Sequence, residues 1–79
     1  MEINRDRVDE AVIGLLYLVS FEKDGVTRAW KGHDWEALNR LHASGFISDP
    51  KSKAKSVVLT DEGKLRAKKS CEKLFGRTV

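Results

Sequence analysis

Between Leu38 and Gly63 the chain runs through a short helical pattern, then Gly45-Phe46-Ile47, then a turn dotted with Lys51, Lys53 and Lys55. It closes on Ser56-Val57-Val58-Leu59-Thr60-Asp61-Glu62-Gly63. This stretch constrains the fold most, because each piece carries its own boundary signal. Gly45 suits the left-handed residue that ends a helix. Phe46-Ile47-Ser48 then reads as a strand, and Asp49-Pro50 opens a turn, since proline presets the backbone angle and aspartate bonds following amides. Ser56 to Leu59 is a return strand rich in β-branched residues. Thr60 caps a last helix whose first turn holds Asp61 and Glu62, where negative charge suits the helix dipole.

The flanks extend the pattern. Asn4 or Asp6 offers a cap for a first helix running to about Ser20. Val8, Ala11, Val12, Leu15 and Val19 recur at three- and four-residue steps and form an apolar stripe. Ile13, Tyr17 and Phe21 form a second stripe, so two faces need cover. Either the C-terminal helix covers the second one or these three residues form a homodimer seam. Glu22 to Gly25 reads as a turn, Val26 to Trp30 as a short strand, and Gly32 as its end. A second helix spans about Asp34 to Ser44, with Trp35, Leu38, Leu41 and His42 inward. On the last helix, Ala67, Cys71, Leu74 and Phe75 face inward, and Gly76 ends it.

Helix, short strand, helix, two-stranded wing and C-terminal helix make one α+β, winged-helix-like domain over residues 1–79. The expected core is Val12, Leu15, Val19, Trp35, Leu38, Leu41, Ile47, Val58, Leu59, Cys71 and Leu74. One part is missing. In a complete helix-turn-helix, one helix braces the DNA backbone while the next enters the major groove. Residues 21–32, with Gly25, Gly32 and Val26-Thr27, do not read as that bracing helix.

Leu38-x-x-Leu41-x-x-x-Gly45-Phe46-Ile47 followed by Val57-x-Leu59-Thr60-x-x-Gly63 resembles the wing region of multiple-antibiotic-resistance (MarR) type winged-helix regulators. Arg28-Ala29-Trp30-Lys31-Gly32, Asp34-Trp35-Glu36-Ala37-Leu38 and Lys53 to Thr60 are similar to a small bacterial family of unknown function. The second resemblance spans nearly the whole chain and implies the fold without an activity.

Composition excludes several classes. The longest apolar run, Ala11 to Val19, is too short to cross a bilayer. Met1 is followed by polar and charged residues, so no secretory leader is expected. A single cysteine, Cys71, permits no internal disulfide and fits a reducing, cytoplasmic setting. No phosphate loop, nucleophile elbow or Cys/His pairing supports an enzyme. His33, His42 and Cys71 lack metal-ligand spacing, so neither metal nor cofactor is expected. The net charge of +3 conceals an asymmetry. Residues 1–50 hold six Lys/Arg against nine Asp/Glu, whereas residues 51–79 hold nine against three. A basic C-terminal third attracts polyanions.

Candidate nucleic-acid contacts follow. Lys51, Lys53 and Lys55 at alternate positions would share one side of an extended hairpin and meet phosphates; the alternative is a solvated tip whose lysines discourage edge pairing. Asn39 and Arg40 lie on the outward face of the second helix and are types that bond adenine and guanine edges. Glu36 and Asp34 beside them repel phosphates. Arg66, Lys69, Lys73 and Arg77 share the outer face of the last helix, where a solvated charged surface is the simpler reading. Trp30 and Trp35 read as core rather than as a base-stacking shelf, because a small domain needs their area. Two functions stay open: a DNA-associated winged-helix protein, regulator or accessory factor, acting on double-stranded DNA, and a protein-interaction or dimerisation module on the same scaffold.

Overall fold

The computed structural model describes residues 1–77. Helix α1 spans Arg5–Leu18 and starts on Asn4, whose Oδ1 accepts from the Arg7 amide at 3.2 Å. Strands β1 (Phe21–Lys23) and β2 (Val26–Trp30) follow, then α2 (Trp35–Ala43), β3 (Ser56–Val58) and α3 (Asp61–Phe75). The strands form one antiparallel sheet in the order β1-β2-β3.

The hairpin β1–β2 occupies the place where a bracing helix would stand. Asp24 and Gly25 both have positive φ, 54° and 77°. That two-residue Asp-Gly turn matches the right-handed twist of the strands it joins. The register pairs Phe21 with Arg28 and Lys23 with Val26. The turn expected over residues 22–25 is therefore tighter, and Glu22 and Lys23 belong to the strand.

The second half of the wing is short. Phe46-Ile47-Ser48 contributes a single bridge, Ile47 to Leu59, supported by Ser48 N donating to Val58 O at 2.9 Å and Thr60 N to Phe46 O at 3.0 Å. Gly45 ends α2 at φ 81°, as its position implied. Thr60 Oγ1 accepts from the Gly63 amide at 3.0 Å and starts α3. Gly76 closes α3, its amide donating to Glu72 O at 2.9 Å.

The core lies between one sheet face and the helices. Val12, Leu38, Leu41, Ile47 and Leu59 are buried, as the sequence implied. Six expected core residues differ. On α1, Ile13 and Leu16 are buried in place of Leu15, which is half-buried, and Val19, which is exposed. The helix is apolar around most of its girth, and the packing partners rather than the stripe choose its phase. Val57 replaces Val58, because cross-strand pairing with Ala29 points Val57 inward. On α3, Ala67 is buried, whereas Cys71 is half-buried and Leu74 is exposed near the helix end. Trp35 is the first residue of α2, next to its cap, and is 47% exposed. The fully buried Leu16 and Leu38 each contribute about 1.5–3 kcal/mol by burial.

Small residues let α1 and α3 touch backbone to backbone. A Cβ on Gly14 would stand 3.3 Å from Cys71 N and 3.4 Å from Ser70 C. At the other end of α3 a Cβ on Gly63 would lie 1.8 Å from Phe46 O, so only glycine fits there.

Candidate nucleic-acid interface

The segment from Asp49 to Lys55, between the Ile47 bridge and β3, is a curled loop. Asp49 Oδ1 accepts from Lys51 N at 2.9 Å, and Asp49 O accepts from Ser52 N at 3.3 Å. Pro50 is buried and pins the loop base. Lys31 supplies the decisive brace: its Nζ donates to Pro50 O and to Ser52 O, both at 2.7 Å, and its amide donates to Lys55 O at 3.2 Å. Sequence reasoning missed Lys31, whose adjacency to Trp30 carried no hint of a contact twenty residues on. Lys51, Lys53 and Lys55 are all exposed. The loop turns and bends rather than extends, so strand alternation is not what arranges them; that expectation is corrected.

Helix α2 presents a different picture from its sequence. Arg40 forms a two-pronged pair with Asp9 of α1, Nε to Oδ2 at 2.8 Å and Nη2 to Oδ1 at 2.7 Å. These bonds push the guanidinium above its ordinary value, with desolvation working against them and the Asp9, Asp34 and Glu36 charges adding to them. Glu36 is a further, looser partner at 4.0 Å. Arg40 is thus engaged in holding α1 to α2, and Asn39 is half-buried beside it. Asp34 caps the helix, its Oδ2 accepting from Ala37 N at 3.0 Å. His42 is exposed rather than inward, with Nδ1 3.0 Å from Ile47 O, where the carbonyl accepts the ring proton.

The outer face of the sheet is the largest departure from expectation. Cross-strand pairing sends Thr27, Ala29 and Val57 to the buried side, and Phe21, Arg28 and Trp30 to the other. Trp30, expected in the core, is 56% exposed and lies against Phe21 with ring centroids 5.4 Å apart and planes tilted by 39°. Arg28 is held in place by Ser56, Nε to Oγ at 2.7 Å and Nη2 to O at 3.3 Å. The Asp24-Gly25 turn signal could have placed Phe21 and Arg28 opposite one another.

The three residues of the expected homodimer seam do not share a surface. Ile13 is 1% exposed and belongs to the chain's own core. Tyr17 packs on that core and lines an open cleft with Lys64, Leu65 and Lys68. Phe21 lies on the sheet, because α1 stops at Leu18. On α3, Lys73 reaches Glu10 at 3.2 Å, the Arg66 guanidinium sits 5.6 Å from the Phe46 ring centre and Lys69 is exposed; Arg77, expected on the same helix face, lies beyond the helix end at Phe75. Among the described residues no group of three or more His, Cys, Asp or Glu side chains could hold a metal, and no helix is long and apolar enough to cross a membrane.

Residues 4–77 match the family described as Domain of unknown function (DUF6429), and the chain belongs to that family. It is 47% identical over 77 residues to "Uncharacterized protein y4hR" of Sinorhizobium fredii (strain NBRC 101917 / NGR234), covering 98% of this chain and all of the relative. No solved structure matches it.

Proposed function

We propose that this chain is a small DNA-associated domain that grips the phosphate backbone of double-stranded DNA through Lys51, Lys53 and Lys55. The observation that supports this reading most is the loop beneath them. Lys31 ties the loop backbone at Pro50 and Ser52, so the lysines project from an ordered frame and less entropy is lost on binding. Phosphate contacts position a protein without reading sequence. Base reading is limited in this scheme: Asn39 is the available donor-acceptor side chain, and Arg40 contributes only when it leaves Asp9. The role is that of a binding domain, in keeping with a regulator or accessory factor, rather than of an enzyme.

A second reading, a protein-interaction or dimerisation module, draws on other residues. Leu18, Leu74 and Phe75 are 60%, 41% and 45% exposed on α1 and α3, and the carboxylates of Asp34 and Glu36 disfavour α2 as a groove reader.

Titration of labelled duplex at two salt concentrations separates the two. Wild type should show steep salt dependence, and Lys51/Lys53/Lys55→Ala should flatten the slope by about 0.9 per lost phosphate contact. Absence of binding at low salt, or an unaltered slope in the variant, refutes the wing as a phosphate grip.

A further inference from the structure

The sheet has two faces and the helices cover one. We propose that the open face, centred on Trp30 and Phe21, seats unpaired bases of a single-stranded nucleic acid. For the class of partner this rests on the nucleic-acid reading above, but it uses a different surface and a different chemistry.

Three observations converge. Trp30 is 56% exposed, and the half-buried Phe21 holds its ring 5.4 Å away at a 39° tilt, so an exposed aromatic is braced by a second one on the same face. A small domain gains by burying such a ring, so leaving Trp30 on an uncovered sheet needs a reason. The second observation is charge. Lys23 and Arg28 share this face, and the one carboxylate among the paired strand residues does not: Glu22 pairs with Thr27 on the opposite side and accepts from its hydroxyl. The strand charges on this face are therefore positive, which suits a phosphodiester and argues against a second copy of the same basic face as its complement.

The third is preorganisation. Ser56 takes the Nε and one Nη donor of Arg28, which fixes the guanidinium and leaves three of its five N–H groups for a ligand. The neighbouring Lys31 amide bonds Lys55 O, so the platform continues into the base of the basic loop without a break in the backbone hydrogen bonds. A strand laid across β1 and β2 would stack its bases on Trp30 and Phe21 and run its phosphates past Arg28 toward Lys55. A duplex cannot use the rings in this way, because its base faces are already stacked. Stacking on aromatic side chains is tolerant of base identity, so the class of ligand is a single-stranded segment rather than a defined sequence.

The full chain has two tryptophans, and Trp35→Phe leaves Trp30 as the sole reporter. That variant is titrated at low salt with oligothymidylate and with a duplex of equal length. The single strand should quench Trp30 emission. In anisotropy titrations Trp30→Ala should lower the ratio of single-strand to duplex affinity about tenfold or more, and Trp30→Phe should restore part of it. Circular dichroism checks that both variants fold, as an exposed position permits. An unquenched Trp30 or an unchanged ratio, with duplex binding intact, overturns this inference and leaves the wing proposal standing. Quenching by the single strand with no duplex binding overturns the wing proposal alone. Should Trp30→Ala instead convert a sedimenting dimer to a monomer with oligonucleotide affinity unaltered, the face belongs to a second copy and the inference falls.

Discussion

Gly63→Ala tests how α3 is fastened to the wing. Helix propensity alone favours alanine by about 1 kcal/mol at such a site. The structure demands the opposite outcome. The new Cβ would stand 1.8 Å from Phe46 O and 2.7 Å from its carbonyl carbon, where real Cβ contacts stay beyond 3.0 Å. Both partners are backbone, so no side chain can swing away, and the first turn of α3 must retreat by about 1 Å or more. That motion loosens the bonds that clamp it: Thr60 N to Phe46 O at 3.0 Å, Thr60 Oγ1 to Gly45 O at 2.7 Å and Thr60 Oγ1 to Phe46 O at 3.2 Å. The amide bond and the hydroxyl proton shared between the two carbonyls are worth about 1 kcal/mol each, and poorly paired carbonyls cost about 1 kcal/mol more. Set against the propensity gain, the net loss is about 2 kcal/mol, which for a domain of this size lowers Tm by roughly 8–16 °C. Urea denaturation followed by circular dichroism measures it. Gly32→Ala is the control, since no atom lies within 4 Å of its Cβ position. A Gly63→Ala protein as stable as wild type would refute the claim that backbone contact sets the seat of α3.

Leu38→Ala removes a side chain with no exposed surface and should cost about 2–5 kcal/mol in the same assay. Asp9→Asn should free Arg40 and remove a negative charge beside α2; duplex affinity rises under the proposed function, and an unchanged or lower affinity counts against α2 approaching DNA. Lys31→Met cuts both Nζ bonds to the loop carbonyls, so hydrogen exchange at residues 49–55 should accelerate while exchange in α1 and α3 holds.

The three helices, the strands β2 and β3 and most of the helix ends were legible in the sequence. Asn4, Asp34 and Thr60 start the helices, and Gly45 and Gly76 end α2 and α3 where those residues predict. Caps and turns bond groups two to four residues apart, so the information is local and a linear reading recovers it. The two-residue Asp24-Gly25 turn belongs to the same class, and its strand Phe21–Lys23 was within reach of the same reasoning.

Tertiary structure alone decided which faces are covered. Helix α1 is apolar on more than one side, and only the positions of the sheet and α3 select Ile13 and Leu16 over Leu15 and Val19. Trp30 looks like core by composition, yet strand parity turns it to the side that no helix covers. Arg40 reads as a free outward cation until folding brings Asp9, thirty-one residues away, within 2.8 Å. Lys31 likewise meets Pro50 and Ser52 only in the folded chain. Local bonds set where each element begins and stops. Which side of it meets water depends on where its distant neighbours come to rest, and a distant neighbour leaves no mark on the spacing of residues beside it.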